Sequence, residues 1–316
     1  MRKALIVGLN NYPGAELDGC INDAKKIQEL LRKNDDGSPN FSVKIITDEC
    51  ESVPKTLLRK SLEELFEGPN DVALFYFSGH GLIKSTGGYI VTPDFKRYDE
   101  GISMNDILLL ANQSQSKDKI IILDCCHSGA FGNPSIDSCN TSQLAEGLTV
   151  LTASRDSESA LEIGGSGVFT YLLVDGLKGG AADLRGYITP GSLYSYVDQA
   201  LGPWDQRPIF KTNVTQFTSV RNILPPVPLE TLRKLNIYFK HPKSEFHLDP
   251  TYEDTQKDVA IEENTKIFKD LQKFVSVGLV VPVDEEHMYY AAMNSKSCKL
   301  TDLGHQYWRL VEKDRL

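Results

Sequence analysis

Two unbroken apolar runs constrain the fold more than any other feature of the 316-residue sequence. Residues 72–77 and 120–123 contain almost no polar side chain. Runs without polar alternation are typical of strands buried on both faces of a parallel sheet. Further apolar runs at 3–9 and 148–153 alternate with segments of helical periodicity. The sequence therefore predicts an α/β fold, with a mostly parallel sheet flanked by helices on both faces.

Each of the two apolar runs ends in a short segment that carries reactive side chains. Ser78-Gly79-His80-Gly81 follows the first run, and Asp124-Cys125-Cys126-His127-Ser128-Gly129 follows the second. The carboxyl ends of neighbouring parallel strands meet at one edge of a sheet, where open α/β sheets bind their ligands. A thiol becomes a nucleophile when an adjacent base takes its proton. We therefore expect His80 to meet a cysteine of the second segment.

The residues alone leave both Cys125 and Cys126 as the nucleophile. A buried structural cysteine and a structural histidine are the alternative to a catalytic pair. Zinc binding is disfavoured because Cys125, Cys126 and His127 are contiguous, whereas zinc ligands are usually separated by two to four residues.

Charge and composition exclude several classes of protein. The net charge is -9, and residues 225–316 hold 13 Lys and Arg against 15 Asp and Glu, so neither part is basic and nucleic acid is not an expected partner. The acidity either steers basic peptides to the protein or only keeps it in solution.

The six cysteines lack a regular spacing and no run of 18 apolar residues occurs. We expect no disulfide framework, no signal peptide, no membrane contact and a cytoplasmic location.

The two strand-end segments resemble those of the caspase-like (clan CD) cysteine peptidases, in their metacaspase or prokaryotic orthocaspase branch. The similarity extends to residues 4–12, 17–24 and 147–154, and covers roughly 1–222. It implies a caspase-hemoglobinase fold and peptidase activity on protein substrates.

The resemblance also implies the catalytic residues. In this family the nucleophile directly precedes His-Ser-Gly, which selects Cys126, with His80 as its base. The backbone amides of Gly81 and Cys126 would form the oxyanion hole. Cys125 would pack beneath the edge of the sheet.

The substrate pocket follows from the same resemblance. Metacaspase-like enzymes take Arg or Lys at P1 through an acidic pocket, whose members correspond to Cys20, Asp23, Ser78 and Asp124. Two carboxylates in one recess suit a cationic side chain. A helix N-cap is the alternative role for Asp23, and a turn acceptor at the strand end is the alternative for Asp124.

Calcium activates many metacaspases, and the sequence leaves a calcium site open without requiring any cofactor. Asp94 stands where one ligand is expected. The paired acidic residues of the family appear here only as Asn105-Asp106, and Asn133 replaces a further carboxylate.

A stiff, proline-rich segment, Pro225-Pro226-Val227-Pro228, marks a domain boundary. We predict a peptidase domain over 1–224, with a p20-like part at 1–131, an exposed loop at 132–147 and a p10-like part at 148–224. The loop contains no Lys or Arg, so an enzyme of basic specificity could not cut itself there.

Residues 229–316 resemble a small α+β, winged-helix-like domain that serves as a regulatory module for a protein partner. The expected elements are a leading helix at 229–239, a helix around 267–275, strands at 279–283 and 288–292 around an acidic turn, and a closing helix opened by Thr301. The resemblance implies a regulated prokaryotic stress, cell-death or antiphage effector. The alternative is a non-proteolytic scaffold or regulator that acts through residues 229–316 on protein or DNA.

Overall fold

The computed structural model describes the chain in five ranges, residues 1–97, 99–125, 143–153, 167–201 and 208–316. The chain forms two compact units. The first contains 1–183 and 187–223, and the second contains 184–186 and 224–316.

The first unit is built on a mostly parallel sheet, as predicted. The strands of this unit are β1 (Arg2–Gly8), β2 (Ser42–Thr47), β3 (Val72–Ser78), β4 (Gly81–Lys84), β5 (Gly87–Lys96), β6 (Asp99–Ser103), β7 (Asp118–Asp124), β8 (Leu148–Thr152), β9 (Tyr187–Ile188), β10 (Ile209–Asn213) and β11 (Arg221–Asn222). The central sheet has the order β10-β8-β7-β3-β1-β2. Its neighbouring strands are parallel except for β10, which runs antiparallel to β8.

Helices cover both faces of this sheet and create one apolar core on each side. They are α1 (Cys20–Arg32), α2 (Lys55–Phe66), α3 (Met104–Gln113), α4 (Val168–Asp175), which continues into a π-helical turn at Gly176–Gly180, and α5 (Pro190–Leu201). Phe75 and Phe77 of β3 pack on the side of α2 and α3, whereas Leu74 and Tyr76 pack on the side of α1, α4 and α5. This double burial explains why β3 is apolar without alternation.

Three local features of the first unit do not follow from the apolar runs. β5 lies between β4 and β6 in a separate antiparallel sheet. The edge strand β10 was not predicted, because its sequence, Ile-Phe-Lys-Thr-Asn, has a weak apolar pattern. The alternative role of Asp23 as a helix N-cap is wrong, since α1 begins at Cys20 and Gly19 is its N-cap residue.

The second unit is a small α+β assembly. Its helices are α6 (Leu229–Leu232), α7 (Leu235–Tyr238), α8 (Glu262–Ser276), α9 (Met288–Met293) and α10 (Asp302–Glu312), and its strands are β12 (Glu245–His247), β13 (Val280–Pro282) and β14 (Ser297–Leu300). The strands form an antiparallel sheet in the order β12-β14-β13. Trp308 of α10 is buried and its Nε1 donates a 2.7 Å hydrogen bond to the Phe239 carbonyl oxygen. As expected, Thr301 opens α10, and its hydroxyl accepts a hydrogen bond from the Gly304 amide.

The strand expected at 288–292 is wrong, because these residues lie in α9. Met288, Ala291 and Ala292 are buried at the i, i+3, i+4 spacing of one helix face, and Tyr289 and Tyr290 are exposed. β13 and β14 are thus joined through a helix instead of a tight acidic turn. The winged-helix assignment stays a prediction.

No helix within the described residues is both long enough and apolar enough to cross a membrane.

Candidate active site

His80 lies just beyond β3, and its imidazole makes a hydrogen bond to the backbone. Its Nε2 is 2.7 Å from the carbonyl oxygen of Ala15. Because a carbonyl oxygen can only accept, Nε2 carries the proton and donates it in this contact. Nδ1 is therefore the nitrogen that can take up a second proton. This is the tautomer that a general base needs.

Tyr12 contacts both the backbone and the imidazole ring of His80. The Tyr12 hydroxyl donates to the Val91 carbonyl oxygen and accepts from the His80 amide, both at 3.2 Å. The two rings meet edge to face with their centroids 4.6 Å apart. Burial raises the pKa of Tyr12 well above its ordinary value, so the hydroxyl stays a donor.

Gly79 is required by this arrangement. A Cβ atom at residue 79 would lie 2.4 Å from the Tyr12 hydroxyl and 2.8 Å from the Phe77 ring. The Tyr12 side chain beside His80 therefore requires glycine at this position.

Asp48 fixes the loop that carries Tyr12. Its buried carboxylate accepts hydrogen bonds from the amides of Asn10, at 2.9 Å, and Asn11, at 2.7 Å. The Asn11 side chain in turn donates to the Asp48 carbonyl oxygen. Sequence reasoning missed Asp48, because nothing in the pattern around the end of β2 distinguishes it from a solvated turn residue.

The predicted nucleophile, Cys126, lies outside the described residues, as do His127 and Asn133. The preceding residues are described. β7 ends at Asp124, paired with Ser78 at the end of β3, so the two strand ends are adjacent. Cys125 is buried in the core on the α2 and α3 side, and Gly81 opens β4 directly after His80. The oxyanion role of the Gly81 and Cys126 amides stays a prediction.

The four residues expected to bind the P1 side chain lie close together and are buried. Cys20 and Asp23 belong to the first turn of α1, and Ser78 and Asp124 are paired strand ends. The Gly167 amide donates a 3.0 Å hydrogen bond to Asp23 Oδ2, and the Thr170 hydroxyl donates a 2.6 Å bond to Asp124 Oδ2.

These contacts bear on the alternative roles of the two carboxylates. Asp23 does not cap α1, because Gly19 occupies that position. The carboxylate of Asp124 accepts a hydrogen bond from a side chain 46 residues further along the chain. Thr170 and Gly167 were not predicted, since neither lies in a segment that carries the resemblance.

The expected calcium ligand Asp94 is engaged otherwise in the structure. Both of its carboxylate oxygens lie 3.1 Å from the Lys55 amide at the start of α2. Asp106 faces Arg59, with 3.4 Å between oxygen and nitrogen. Among the residues that the structure describes, no group of three His, Cys, Asp or Glu could hold a metal ion. Asp94 as a calcium ligand stays an expectation that rests on the resemblance.

A mostly parallel α/β sheet with a histidine just beyond one strand and, after the neighbouring strand, the sequence Cys-Cys-His indicates a cysteine-type peptidase. The model of the caspase domain, the domain of peptidase family C14, matches residues 1–221. The chain therefore belongs to the caspase-domain family.

Relatives in this family are metacaspases of modest identity. Metacaspase-4 of Arabidopsis thaliana is 34% identical over 147 residues, which cover 41% of this chain and 34% of that protein. Metacaspase-2 of Trypanosoma brucei brucei is 28% identical over 181 residues, which cover 50% of this chain and 51% of that protein. The matched regions thus span between a third and a half of these relatives.

A solved structure has a similar fold. The crystal structure of protein GSU0716 from Geobacter sulfurreducens aligns with a TM-score of 0.50 at 16% identity, covering 68% of this chain and 95% of that chain. At this identity the likeness concerns the fold alone.

Proposed function

We propose that the protein is a cysteine endopeptidase that cleaves proteins after Arg or Lys, with Cys126 as nucleophile and His80 as base. The observation that carries the proposal is the hydrogen bond from His80 Nε2 to the Ala15 carbonyl oxygen, just beyond β3 and beside the end of β7, after which Cys126 follows in the sequence. It leaves Nδ1 to receive the thiol proton.

The reaction then takes two steps. His80 Nδ1 accepts the proton of Cys126, and the thiolate attacks the scissile carbonyl carbon, with the oxyanion held by the amides of Gly81 and Cys126. The Ala15 carbonyl stabilises the imidazolium that forms. His80 returns the proton to the leaving amine, and a thioester acyl-enzyme remains. Water, deprotonated by His80, attacks the thioester and releases the thiol.

The acidic recess supplies the proposed specificity. The carboxylates of Asp23 and Asp124 both lie against the Gly167 backbone, so two negative charges converge beside the paired strand ends. A guanidinium or ammonium group at P1 would offset this charge. The same charge repels an acidic P1 side chain, so cleavage after Asp is not expected.

Residues 229–316 are proposed to regulate the peptidase through a protein partner. Tyr289 and Tyr290 of α9 are 41% and 49% exposed and follow the acidic segment Asp284-Glu285-Glu286. Exposed aromatic side chains are frequent anchors at protein interfaces. The stress, cell-death or antiphage role stays a prediction that rests on the resemblance.

The test combines substitutions with a covalent label. Cys126→Ala and His80→Ala should each abolish cleavage of fluorogenic Arg and Lys substrates, since members of a catalytic pair are not additive. Cys125→Ala is the matched control and should retain a substantial part of the activity. An Arg-chloromethylketone should add one label to the wild type and none to Cys126→Ala, as read by intact mass.

Two outcomes would contradict the proposal. If Cys125→Ala is inactive and Cys126→Ala is active, the nucleophile assignment is wrong. If a P1 library shows preference for Asp or for apolar residues, the specificity is wrong. A wild-type protein that neither cleaves nor takes the label would favour the scaffold alternative.

A further inference from the structure

A buried hydroxyl relay connects the sheet to the proposed P1 pocket. The Tyr76 hydroxyl lies 2.6 Å from the Thr170 hydroxyl, which lies 2.6 Å from Asp124 Oδ2. Tyr76, Asp124 and Thr170 are all buried. The three groups come from β3, β7 and α4, so the relay forms only when sheet and helix are packed together.

The direction of the relay follows from its chemistry. An ionised carboxylate only accepts hydrogen bonds, so the Thr170 hydroxyl must donate to Asp124. This uses its single proton, and Thr170 can then only accept from Tyr76. Burial, and after it the negative Asp124 and Asp23, raise the pKa of Tyr76 well above its ordinary value. Tyr76 therefore keeps its proton and remains the donor.

The N-cap residue of α4, Gly167, contacts Asp23. The Gly167 amide bonds Asp23 Oδ2, and a Cβ atom on residue 167 would lie only 2.4 Å from Asp124 Oδ2. The two carboxylates thus lie against the same residue, at the amino end of a helix whose dipole favours negative charge. Only glycine fits there.

This close packing disfavours ionisation of both carboxylates, and the hydrogen bonds donated to them offset that effect. Two carboxylates at close range in a buried site tend to share one proton, which would remove a negative charge. Hydrogen bonds donated to the ionised forms by Thr170 and Gly167 favour keeping both charges.

We propose that Thr170, supported by Tyr76, is a positioning residue for P1 specificity, which keeps Asp124 ionised and oriented toward a cationic P1 side chain. The inference rests on the proposed peptidase function and adds residues outside the motifs that carry the family resemblance. Thr170 acts through Asp124 and not on the scissile bond.

The test measures recognition of charge separately from catalysis. Thr170→Val keeps the side-chain shape and removes the hydroxyl, and Thr170→Ser keeps the hydroxyl. Each variant of the full chain is assayed with two fluorogenic peptides that differ only at P1, one with arginine and one with citrulline, its uncharged isostere. The ratio of the two kcat/KM values cancels effects on His80 and Cys126. Iodoacetamide alkylation of Cys126, followed by peptide mapping, reports the nucleophile independently of the pocket.

We expect Thr170→Val to lower the arginine-to-citrulline ratio about tenfold to a hundredfold, the range for one hydrogen bond to a charged group. Thr170→Ser should stay within about twofold of wild type. Tyr76→Phe, which removes only the far end of the relay, should lower the ratio about twofold to fivefold, by the smaller contribution of a neutral hydrogen bond. Thr149→Val is the matched control, because its hydroxyl bonds Thr212, between β8 and β10. Its ratio should equal that of wild type.

An unchanged ratio in Thr170→Val, or equal losses in Thr170→Val and Thr170→Ser, would overturn the inference and leave the proposed peptidase intact. A loss of alkylation and of both activities together would also overturn it, since Thr170 would then be purely structural. If Thr170→Val does not fold, Tyr76→Phe decides by the same ratio. Failure of the wild type to cleave the arginine peptide would instead refute the proposed function.

Discussion

The Tyr12 hydroxyl offers the sharpest test of how the candidate active site is held. Tyr12 is 1% exposed, and its hydroxyl bonds both the Val91 carbonyl oxygen and the His80 amide. Tyr12→Phe removes both bonds while the ring stays in place beside the imidazole. The substitution therefore perturbs the backbone of His80 without opening a large cavity.

The expected magnitude follows from these two bonds. A buried hydrogen bond contributes about 0.5–1.5 kcal/mol net, so losing two should lower the free energy of unfolding by about 2 kcal/mol. We expect kcat/KM to fall about tenfold, because a His80 that shifts relative to Cys126 loses the geometry that proton transfer requires.

The assay pairs urea unfolding with kinetics on an Arg substrate. Tyr89→Phe is the matched control, since the Tyr89 hydroxyl bonds only the exposed Thr86 side chain, at 2.7 Å, among described residues. It should change stability by less than about 0.5 kcal/mol and leave kcat/KM unchanged. If Tyr12→Phe behaves like Tyr89→Phe in both measurements, the Tyr12 hydroxyl does not hold His80.

Three further predictions concern the rest of the chain. The segment 132–147 should stay uncut when the wild type is incubated, because it lacks Lys and Arg; cuts at Lys178, Arg185 or after Lys211 are expected instead, and intact mass against Cys126→Ala will show them. A fragment of residues 229–316 should not bind duplex DNA, since it has no excess of basic residues; submicromolar, salt-sensitive affinity would refute this. Burial raises the pKa of Cys298 to about 12, so at pH 8 iodoacetamide should alkylate the exposed Cys50 and spare Cys298 in the native protein, and equal rates would contradict the buried thiol.

The central sheet could be predicted from the sequence because its inner strands are buried on both faces. β3 and β7 appear as apolar runs, and the polar segments after them mark the edge where His80 and Asp124 emerge. The edge strand β10 could not be found in this way, since a partly exposed strand mixes apolar and polar residues.

The apolar run at 288–292 shows the limit of periodicity in short segments. Met-Tyr-Tyr-Ala-Ala is compatible with a strand or with one turn and a half of helix, and only packing decides. The buried face formed by Met288, Ala291 and Ala292 requires the helix.

The contacts that complete the candidate site were the hardest to predict from the sequence. Thr170 reaches Asp124 across 46 residues, and Asp48 reaches Asn10 across 38. Neither residue type nor spacing signals such a contact. A threonine in the first turn of a helix and an aspartate after a strand are both common, so their roles follow from the tertiary fold alone.

The strand order of the central sheet also bears on how the protein is made. From β1 outward, β3, β7, β8 and β10 join one side of the sheet in the order in which they are synthesised, so each strand meets a neighbour that already exists. At about 5–20 residues per second, Thr170 emerges from the ribosome roughly 2–9 s after Asp124. During that interval a nascent chain would hold His80 and Cys126 without the helix that orders its acidic pocket. Under the proposed function, the acidic pocket that selects the substrate is completed late in synthesis, after the catalytic residues have emerged.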